Sequence, residues 1–157
     1  MFEVDPHGAL GLARVEDLDV FEERHCLRFS DEHRQFLSHI ANGGYVRTPM
    51  IIPTVDCFGG AGLLDGIYGV NHPNGNNDLG RAVQDSGSLV PGLVPFGFDQ
   101  GNGQLFIDMV NSPGRVVYVP WEELDASPLI TYHVAVSIRA FIGEAEELTK
   151  TLEFENS

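Results

Sequence analysis

The chain has 157 residues, 43% of them hydrophobic and 20% charged, a balance that excludes general disorder and predicts one domain over residues 1–157. Its formal net charge of −14 excludes nucleic acid and anionic lipid surfaces as natural partners, because binding to either requires clustered cations. The sequence contains no apolar run of about 18 residues for a membrane span, and its first residues lack the pattern of a signal peptide, so we expect a cytoplasmic protein.

Two segments near the amino terminus show helical periodicity. The first has its apolar face at Val15, Leu18 and Phe21. The second is predicted to begin after Ser30, a residue type that caps helices, and to end at the glycines of Asn42-Gly43-Gly44, which accept left-handed backbone. Its apolar stripe is predicted to consist of Phe36, Leu37 and Ile40.

After Gly44 the pattern changes to short strands separated by turns. Five strands are predicted, at residues 45–52, 67–70, 93–98, 104–110 and 115–119. The last two are joined by Asn111-Ser112-Pro113-Gly114, which is typical of a hairpin loop. Turn-forming residues dominate positions 71–78, which we expect to be an exposed loop.

The carboxyl-terminal segment is predicted to be a helix that begins near Ser127 or Thr131, with Pro128 in its first turn. Gly143 lowers the stability of this helix by roughly 1 kcal/mol relative to alanine. Helices at both ends of a run of strands predict an α+β domain, a twisted antiparallel sheet flanked by N-terminal and C-terminal helices. The apolar residues of the last helix follow at spacings of three and four: Val134, Ile138, Phe141, Ile142, Ala145, Leu148 and Leu152.

Histidine and cysteine would indicate a metal site or a nucleophile, and neither type occurs here in a recognised spacing. The six histidines and two cysteines, Cys26 and Cys57, form no CxxC or HExxH pair. His33 and His39 are six positions apart and therefore lie on different faces of the second helix. We interpret the histidines as hydrogen-bonded or solvated and the cysteines as reduced thiols, and we predict no catalytic residue, metal or cofactor.

Two glycine-rich segments are interpreted as turns. Residues 59–62 lack the lysine and the Ser or Thr of a phosphate-binding loop. In residues 99–108, oxygen-bearing side chains surround two glycines, which indicates either a self-capping turn or a Ca²⁺ or Mg²⁺ site centred on Asp99, Asn102 and Asp108. The oxygen ligands do not alternate as they do in an EF-hand loop, and this favours the turn.

A series of short motifs, in order over about residues 15–143, resembles the SUKH superfamily. Ser30 departs from the usual proline and Asn102-Gly103 offsets the usual Gly-Asn order by one residue. Because serine caps a helix as well as proline starts one, the fold expectation is unchanged. The motifs are Phe21-Glu22, Phe29-Ser30-Asp31-Glu32-His33, Phe36-Leu37, Asn42-Gly43-Gly44, Ile67-Tyr68-Gly69-Val70, Val94-Pro95-Phe96-Gly97-Phe98-Asp99, Gly101-Asn102, Ile107-Asp108, Val116-Val117-Tyr118, Ala135-Val136-Ser137-Ile138 and Phe141-Ile142.

The resemblance implies a strongly twisted antiparallel sheet flanked by helices, and functions that are not catalytic. Most bacterial members of the superfamily look like immunity proteins, which bind and block toxins, often nucleases or deaminases. The fungal relatives look like regulatory scaffolds in cell-wall synthesis. The motifs themselves are mostly apolar or turn-forming, so we expect them to build the core and the backbone geometry, and we expect the partner surface to lie outside them.

The acidic residues are concentrated at the two ends of the chain. Residues 1–33 contain nine acidic and three basic residues and residues 99–157 contain ten and three, against four and three in between. Such a field attracts a basic protein, and nuclease toxins are basic because they bind phosphates. We therefore expect a basic toxin domain to be bound by the acidic helices and the 71–80 loop, through Glu16, Asp17, Asp19, Glu23, Asn74, Asn76, Asp78, Glu122, Glu123, Glu144 and Glu147.

Two other interpretations stay open at this point. In the first, the charge serves solubility alone and the chain is a regulatory or scaffolding module. In the second, the chain is an enzyme or a metal-binding protein centred on residues 99–108. In each case we expect a monomer or a weak homodimer, without a nucleic-acid or membrane partner.

Overall fold

The computed structural model describes residues 2–5, 11–53, 62–86 and 92–155. The predictions for Cys57, for residues 59–61 and for the side chain of Leu152 lie outside the described residues. The described residues form one antiparallel sheet with helices, in strand order β1-β2-β3-β4-β5-β6, which confirms the α+β prediction. The elements in chain order are α1 (Val15–His25), α2 (Asp31–His39), β1 (Gly44–Ile51), β2 (Leu63–Ile67), α3 (Leu79–Ser86), β3 (Leu93–Asp99), β4 (Gln104–Asp108), β5 (Arg115–Val119), β6 (Tyr132–Ala135) and α4 (Ile138–Glu155).

Both amino-terminal helices form where the periodicity predicts them. Ser30 caps α2 as predicted, because its hydroxyl accepts a hydrogen bond from the backbone N–H of His33 at 3.1 Å. The left-handed backbone predicted beyond this helix occurs at Gly43, with φ of +83°. One position of the apolar stripe is wrong: Ile40 is 55% exposed, because α2 ends one residue earlier and its buried face is made by the neighbouring pair Phe36 and Leu37.

The second strand lies earlier than predicted, because residues 69 and 70 bond outside the sheet. The side chain of Asn42 accepts from the N–H of Val70 at 2.8 Å and donates to its carbonyl oxygen at 3.1 Å. Gly69 passes so close to Asn42 that a Cβ there would lie 2.1 Å from the Asn42 carbonyl oxygen. These contacts end β2 at Ile67 and turn the chain away from the sheet.

The prediction of an exposed loop at residues 71–78 is wrong in part. His72 is 5% exposed and Asn77 is fully buried, and the Asn77 amide donates to the Ile67 carbonyl oxygen at 3.1 Å. Residues Gly75–Asn77 form a 3-10 turn, and the helix α3, which the sequence did not indicate, follows at once. Turn-forming residue types therefore build a packed connection here, because the Asn77 side chain bonds to the backbone of β2 and those of His72 and Asn74 accept from backbone N–H groups of the segment itself.

The carboxyl-terminal helix begins later than predicted, and neither Ser127 nor Thr131 caps it. A strand, β6, occupies residues 132–135 and buries Val134 against the sheet. The helix α4 begins after Ser137, whose hydroxyl accepts from the N–H of Ala140 at 3.0 Å. The carboxylate of Glu32 in α2 also accepts from the N–H of Ile138 at 2.6 Å and joins the ends of the two helices. Pro128 follows a cis peptide bond and lies outside the helix.

The two faces of the sheet carry different contacts. On one face, the Phe96 ring packs against Phe36 of α2 at 5.2 Å and Phe141 of α4 at 6.1 Å. On the other face, Phe106 and Val117 are directly opposed in the register of β4 and β5. They form a smaller cluster with the fully buried Val119 and the partly buried Leu93, Leu124 and Leu129. Each fully buried phenylalanine contributes about 1.5–3 kcal/mol through the apolar surface it removes from water.

Candidate functional site

A groove opens on the sheet face away from α2 and α4, and two adjoining lobes form it. The first lobe has a volume of about 280 Å³ and the second about 260 Å³. The lobes share four lining residues, Tyr68, Ala82, Asp85 and Gln104. We call the whole depression the aromatic groove; its further lining residues are Tyr45, Asp65, Gly75, Asn76, Arg81, Phe98, Asn102, Trp121, Leu124 and Asp125.

The floor of the aromatic groove is set by the strand register. Gln104 is directly opposed to Phe98 on β3 and to Val119 on β5, so these side chains project from the same face. The hydroxyl of Tyr68 donates to Gln104 Oε1 at 2.5 Å. The Phe98 ring lies 5.3 Å from the ring of Tyr68 and 6.1 Å from that of Tyr45. Three aromatic rings and one amide therefore form a single packed layer.

A β-bulge in β3 explains why the groove contains an aromatic floor at all. Pro95 pairs with Phe106 and Gly97 pairs with Leu105, so Phe96 is an extra residue in β3. Without it, Phe96 and Phe98 would project from the same face, since alternate residues of a strand do so. With it, Phe96 packs among the helices and Phe98 turns to the groove.

Burial also fixes the protonation state of the tyrosine in the floor. Burial raises the pKa of Tyr68 to about 12, the hydrogen bond to Gln104 opposes this shift, and the nearby carboxylate of Asp85 adds to it. The Tyr68 hydroxyl therefore stays protonated at neutral pH and acts as a donor. It orients the Gln104 amide rather than carrying charge.

The rim of the groove is predominantly acidic. Asp65 and Asp85 line the first lobe and Asp85 and Asp125 line the second. Arg81 is the cation among the lining residues, and its Nε lies 4.0 Å from the Asp85 carboxylate, at the outer limit of an ion pair. Three carboxylates against one guanidinium give the groove an excess of negative charge.

Trp121, the tryptophan of the chain, stands at the end of the second lobe. It begins the 3-10 turn Trp121–Glu123 and is 61% exposed. An exposed indole beside a groove is characteristic of binding hot spots, because tryptophan offers a large rigid surface to a partner. The partly buried Leu124, which packs onto the Phe106 cluster, holds this turn against the sheet.

The predicted acidic residues of α1 fall into two groups. Glu16 and Glu23 are exposed; Asp17 and, to a smaller extent, Glu16 raise the pKa of Arg14, and Glu23 forms no ion pair of 4 Å or less with any described residue. Asp17 instead accepts from the backbone and side chain of Arg14, at 3.3 Å each, and this bonding lowers the pKa of its carboxyl. Asp19 pairs with Arg34 of α2 at 2.7 Å. Asp17 therefore bonds to the start of its own helix, and Asp19 joins α1 to α2.

The predicted residues of the 71–80 loop are turned inward in part. The Asn74 side-chain Oδ1 accepts from the backbone N–H of Asn76 at 3.0 Å, and the Asn76 side-chain amide donates to the Tyr45 hydroxyl at 3.2 Å. Asp78 accepts from the N–H of Arg81 at 3.3 Å. Of these three predicted residues, Asn76 lines the aromatic groove.

The remaining predicted residues lie at two places. Glu122 and Glu123 follow Trp121 in its turn; Glu122 is exposed, and Glu123 accepts from the Tyr132 hydroxyl at 2.8 Å. Glu144 and Glu147 are exposed on α4, three positions apart and so on one face of that helix. The groove therefore adjoins Asn76, Glu122 and Glu123.

The segment 99–108 forms turns whose carboxylates bond to its own backbone. Asp99 Oδ1 accepts from the N–H of Gly101 at 2.9 Å and of Gly103 at 2.8 Å, and its other oxygen accepts from the Tyr118 hydroxyl. In this turn, Asn102 is the residue with left-handed backbone, with φ of +65°. Gly103 is required for space, since a Cβ there would lie 2.2 Å from the Tyr118 oxygen.

Asp108 lies at the other end of β4 and has a separate set of partners. Its carboxylate accepts from the N–H of Val110 at 2.9 Å and of Asn111 at 3.1 Å, and from Arg115 Nε at 3.0 Å. Burial alone would raise the pKa of Asp108, but these three donors together lower it. A strand of this length holds Asp99 and Asp108 more than about 10 Å apart, so the two do not form one ligand set. Among the described residues, no three His, Cys, Asp or Glu side chains converge to hold a metal ion.

The interpretation of all histidines as hydrogen-bonded or solvated is wrong for His33. Its side chain is fully buried, and neither ring nitrogen has a hydrogen-bond partner. The ring lies between the Phe29 and Phe96 rings, at 4.9 and 5.6 Å. His39 is exposed, as expected from its place on another face of α2.

The aromatic groove is the feature that the sequence patterns missed. Tyr68 and Gln104 are 36 positions apart, and each lies in or beside a strand whose pattern indicates only burial. Trp121 was the available signal, since a single tryptophan among turn-forming residues is seldom needed for a core.

The model of the SMI1 / KNR4 family (SUKH-1) matches residues 12–144 of this chain, a span that includes the sheet, α1, α2, α3 and the first part of α4. Comparison with curated proteins gives no match. In the described part of the chain, no helix is both long enough and apolar enough to cross a lipid bilayer.

Proposed function

Because the chain belongs to the SMI1 / KNR4 family (SUKH-1), we propose that it is a non-catalytic protein-binding domain, and specifically an immunity protein that neutralises a bacterial toxin. The toxin it fits best is a basic domain, such as a nuclease or a deaminase that acts on nucleic acid. A basic partner fits because the chain's net charge of −14 attracts one.

The arrangement of exposed carboxylates is the observation that carries this proposal. Glu23 on α1, and Glu144 and Glu147 on α4, are exposed and form no ion pair of 4 Å or less among the described residues; Glu16 is exposed as well, and its charge acts on Arg14, whose main partner is Asp17. Their charge is therefore available to a partner. The ion pairs of Asp17 and Asp19, by contrast, already satisfy charge within the domain.

Neutralisation then follows from occupation of the surface that a toxin uses for its substrate. A nuclease presents cations where it binds phosphates, and an acidic protein is complementary to those cations. The summed negative field raises the rate of encounter before any contact forms. Salt screens this field beyond a Debye length of about 8 Å at physiological ionic strength, so added salt slows the encounter. No bond is made or broken in this mechanism.

Co-expression tests the proposal. Cells that produce the toxin encoded beside this gene should recover growth when the chain is produced as well, and the two purified proteins should form a stoichiometric complex. Failure to rescue growth against every neighbouring toxin would overturn the immunity role. The double variant Glu144→Lys with Glu147→Lys tests whether rescue depends on exposed negative charge, and we expect it to rescue growth less well.

The second candidate is a regulatory or scaffolding module, a role with which the family is equally consistent. The exposed Trp121 favours protein binding in this role too, because its contribution does not depend on a basic partner. Expression of the gene far from any toxin gene, with cell-wall or signalling proteins as partners, distinguishes this candidate from the first.

A further inference from the structure

We propose that the aromatic groove receives an arginine side chain from the protein partner. This inference rests on the proposed protein-binding function and assigns one contact of that interface. It needs neither the α1 nor the α4 carboxylates to lie in the interface.

The shape of the groove suits an extended side chain. Its two adjoining lobes measure about 280 and 260 Å³. They meet at Tyr68 and Gln104, so an extended side chain that enters one lobe can reach the other.

The charge of the groove selects a cation. Asp65, Asp85 and Asp125 exceed the single Arg81 by two negative charges, so phosphates and carboxylates are repelled. The present partner of Asp85 is held loosely, since Arg81 Nε lies 4.0 Å away and both side chains are largely exposed. An incoming guanidinium can therefore replace Arg81 as the partner of the Asp85 carboxylate at little cost in free energy.

The aromatic lining selects arginine over lysine. Of the aromatic lining residues, Tyr68 and Phe98 are buried, at 7% and 8% exposed, whereas Tyr45 is partly exposed and Trp121 is 61% exposed, so the last two rings are open to a partner. A guanidinium is planar and less strongly hydrated than an ammonium, so it stacks on such rings while its N–H groups bond to carboxylates. The Gln104 Oε1 atom adds a neutral acceptor beside the Tyr68 hydroxyl.

The tryptophan of this chain makes the test direct, because its fluorescence reports on the groove. The full-length protein is titrated with acetyl-Gly-Arg-Gly amide, and Trp121 fluorescence and backbone amide NMR shifts are followed together. We expect saturable shifts at groove residues. The matched peptide with citrulline, which keeps the shape and loses the charge, should bind at least about tenfold more weakly.

Two exposed groove residues one helical turn apart give predictions of opposite sign. Asp85→Asn should weaken binding of the arginine peptide by about threefold, in line with the modest strength of exposed ion pairs. Arg81→Gln should strengthen it by a similar factor, since it removes a like charge and a competitor for Asp85. Gln84→Ala, on the same helix but outside the groove lining, should leave the affinity unchanged.

Binding of the citrulline peptide, or of a matched lysine peptide, as tight as that of the arginine peptide would overturn the inference, and so would shifts that are absent or confined to other surfaces. So would effects of Asp85→Asn and Arg81→Gln in the same direction. These outcomes are separate from growth rescue: a chain that rescues cells but ignores the peptide refutes the groove assignment alone, and a chain that binds the peptide but rescues no cell refutes the immunity role alone.

Discussion

At the scale of the residue, His33 shows how burial decides protonation. Burial lowers the pKa of His33 to about 3, because the ring nitrogens lack partners and the surroundings are the rings of Phe29 and Phe96. In the unfolded chain the pKa returns to about 6.5. The folded state therefore takes up fewer protons between these two values, and its stability falls as the pH drops below 6.5.

We predict that the free energy of unfolding decreases by about 2 kcal/mol between pH 7 and pH 5 on account of this group, at about 1.4 kcal/mol per pH unit once the unfolded histidine is protonated. Urea denaturation at the two pH values measures the change. The variant His33→Leu places an apolar side chain without a titrating group among the same rings. Its decrease in free energy of unfolding over the same pH range should therefore be smaller by about 2 kcal/mol. Equal losses in the two proteins would contradict the assignment.

Some of these residue-level features can be predicted from the sequence, and others cannot. The cap at Ser30 and the separate faces of His33 and His39 follow from local spacing, and the structure confirms both. The burial of His33 does not follow from spacing, because it depends on Phe96, 63 positions away on another element. Likewise the burial of Asn77 depends on a bond to Ile67 that no local pattern indicates.

At the scale of the element, the bulge in β3 determines whether the groove has its floor. The Phe98 ring fits over Gly66, its register partner on β2, and a Cβ at Gly66 would lie 2.2 Å from the ring. Gly66→Ala should therefore displace Phe98 and destabilise the fold by about 1–3 kcal/mol, a common cost of overpacking. Thermal unfolding measures this change.

Gly143 supplies the matched control for that substitution. It lies in α4 with no atom within 4 Å of the position that a Cβ would occupy. Gly143→Ala should therefore stabilise the protein by up to about 1 kcal/mol through helix propensity. Destabilisation by both substitutions to the same degree would show that the Phe98 contact is not the reason for a glycine at position 66.

The element scale also shows where periodicity is insufficient. The apolar patterns of the strands at 93–99, 104–108 and 115–119 and of the helices α1 and α2 are strong, and they indicate these elements correctly; for α4 they indicate the helix and misplace its start. The strand β6 lies where the pattern predicts the start of that helix, since four residues with Val134 among them fit either period. The short helix α3 was missed because Leu79, Ala82 and Val83 give it too few apolar positions.

At the scale of the whole molecule, the account depends on the position of the negative charge as well as on its amount. Glu16→Lys with Glu23→Lys, and Glu144→Lys with Glu147→Lys, change the net charge equally, so each pair of substitutions controls for the other. We predict that the association rate with the toxin falls several-fold at low salt for at least one of these double variants. The larger decrease is expected for the variant whose substitutions lie nearer the interface. Stopped-flow measurements at two salt concentrations give these rates. Unchanged rates for both pairs would remove α1 and α4 from the interface.

Affinity capture of the tagged full-length chain from its native lysate, washed at low and at high salt and read by mass spectrometry, is the sharpest test of the immunity role. We predict a stoichiometric basic toxin domain that is retained at low salt and partly lost at high salt. Recovery of cell-wall or signalling proteins in place of a toxin, or of no stoichiometric partner at either salt concentration, would contradict it.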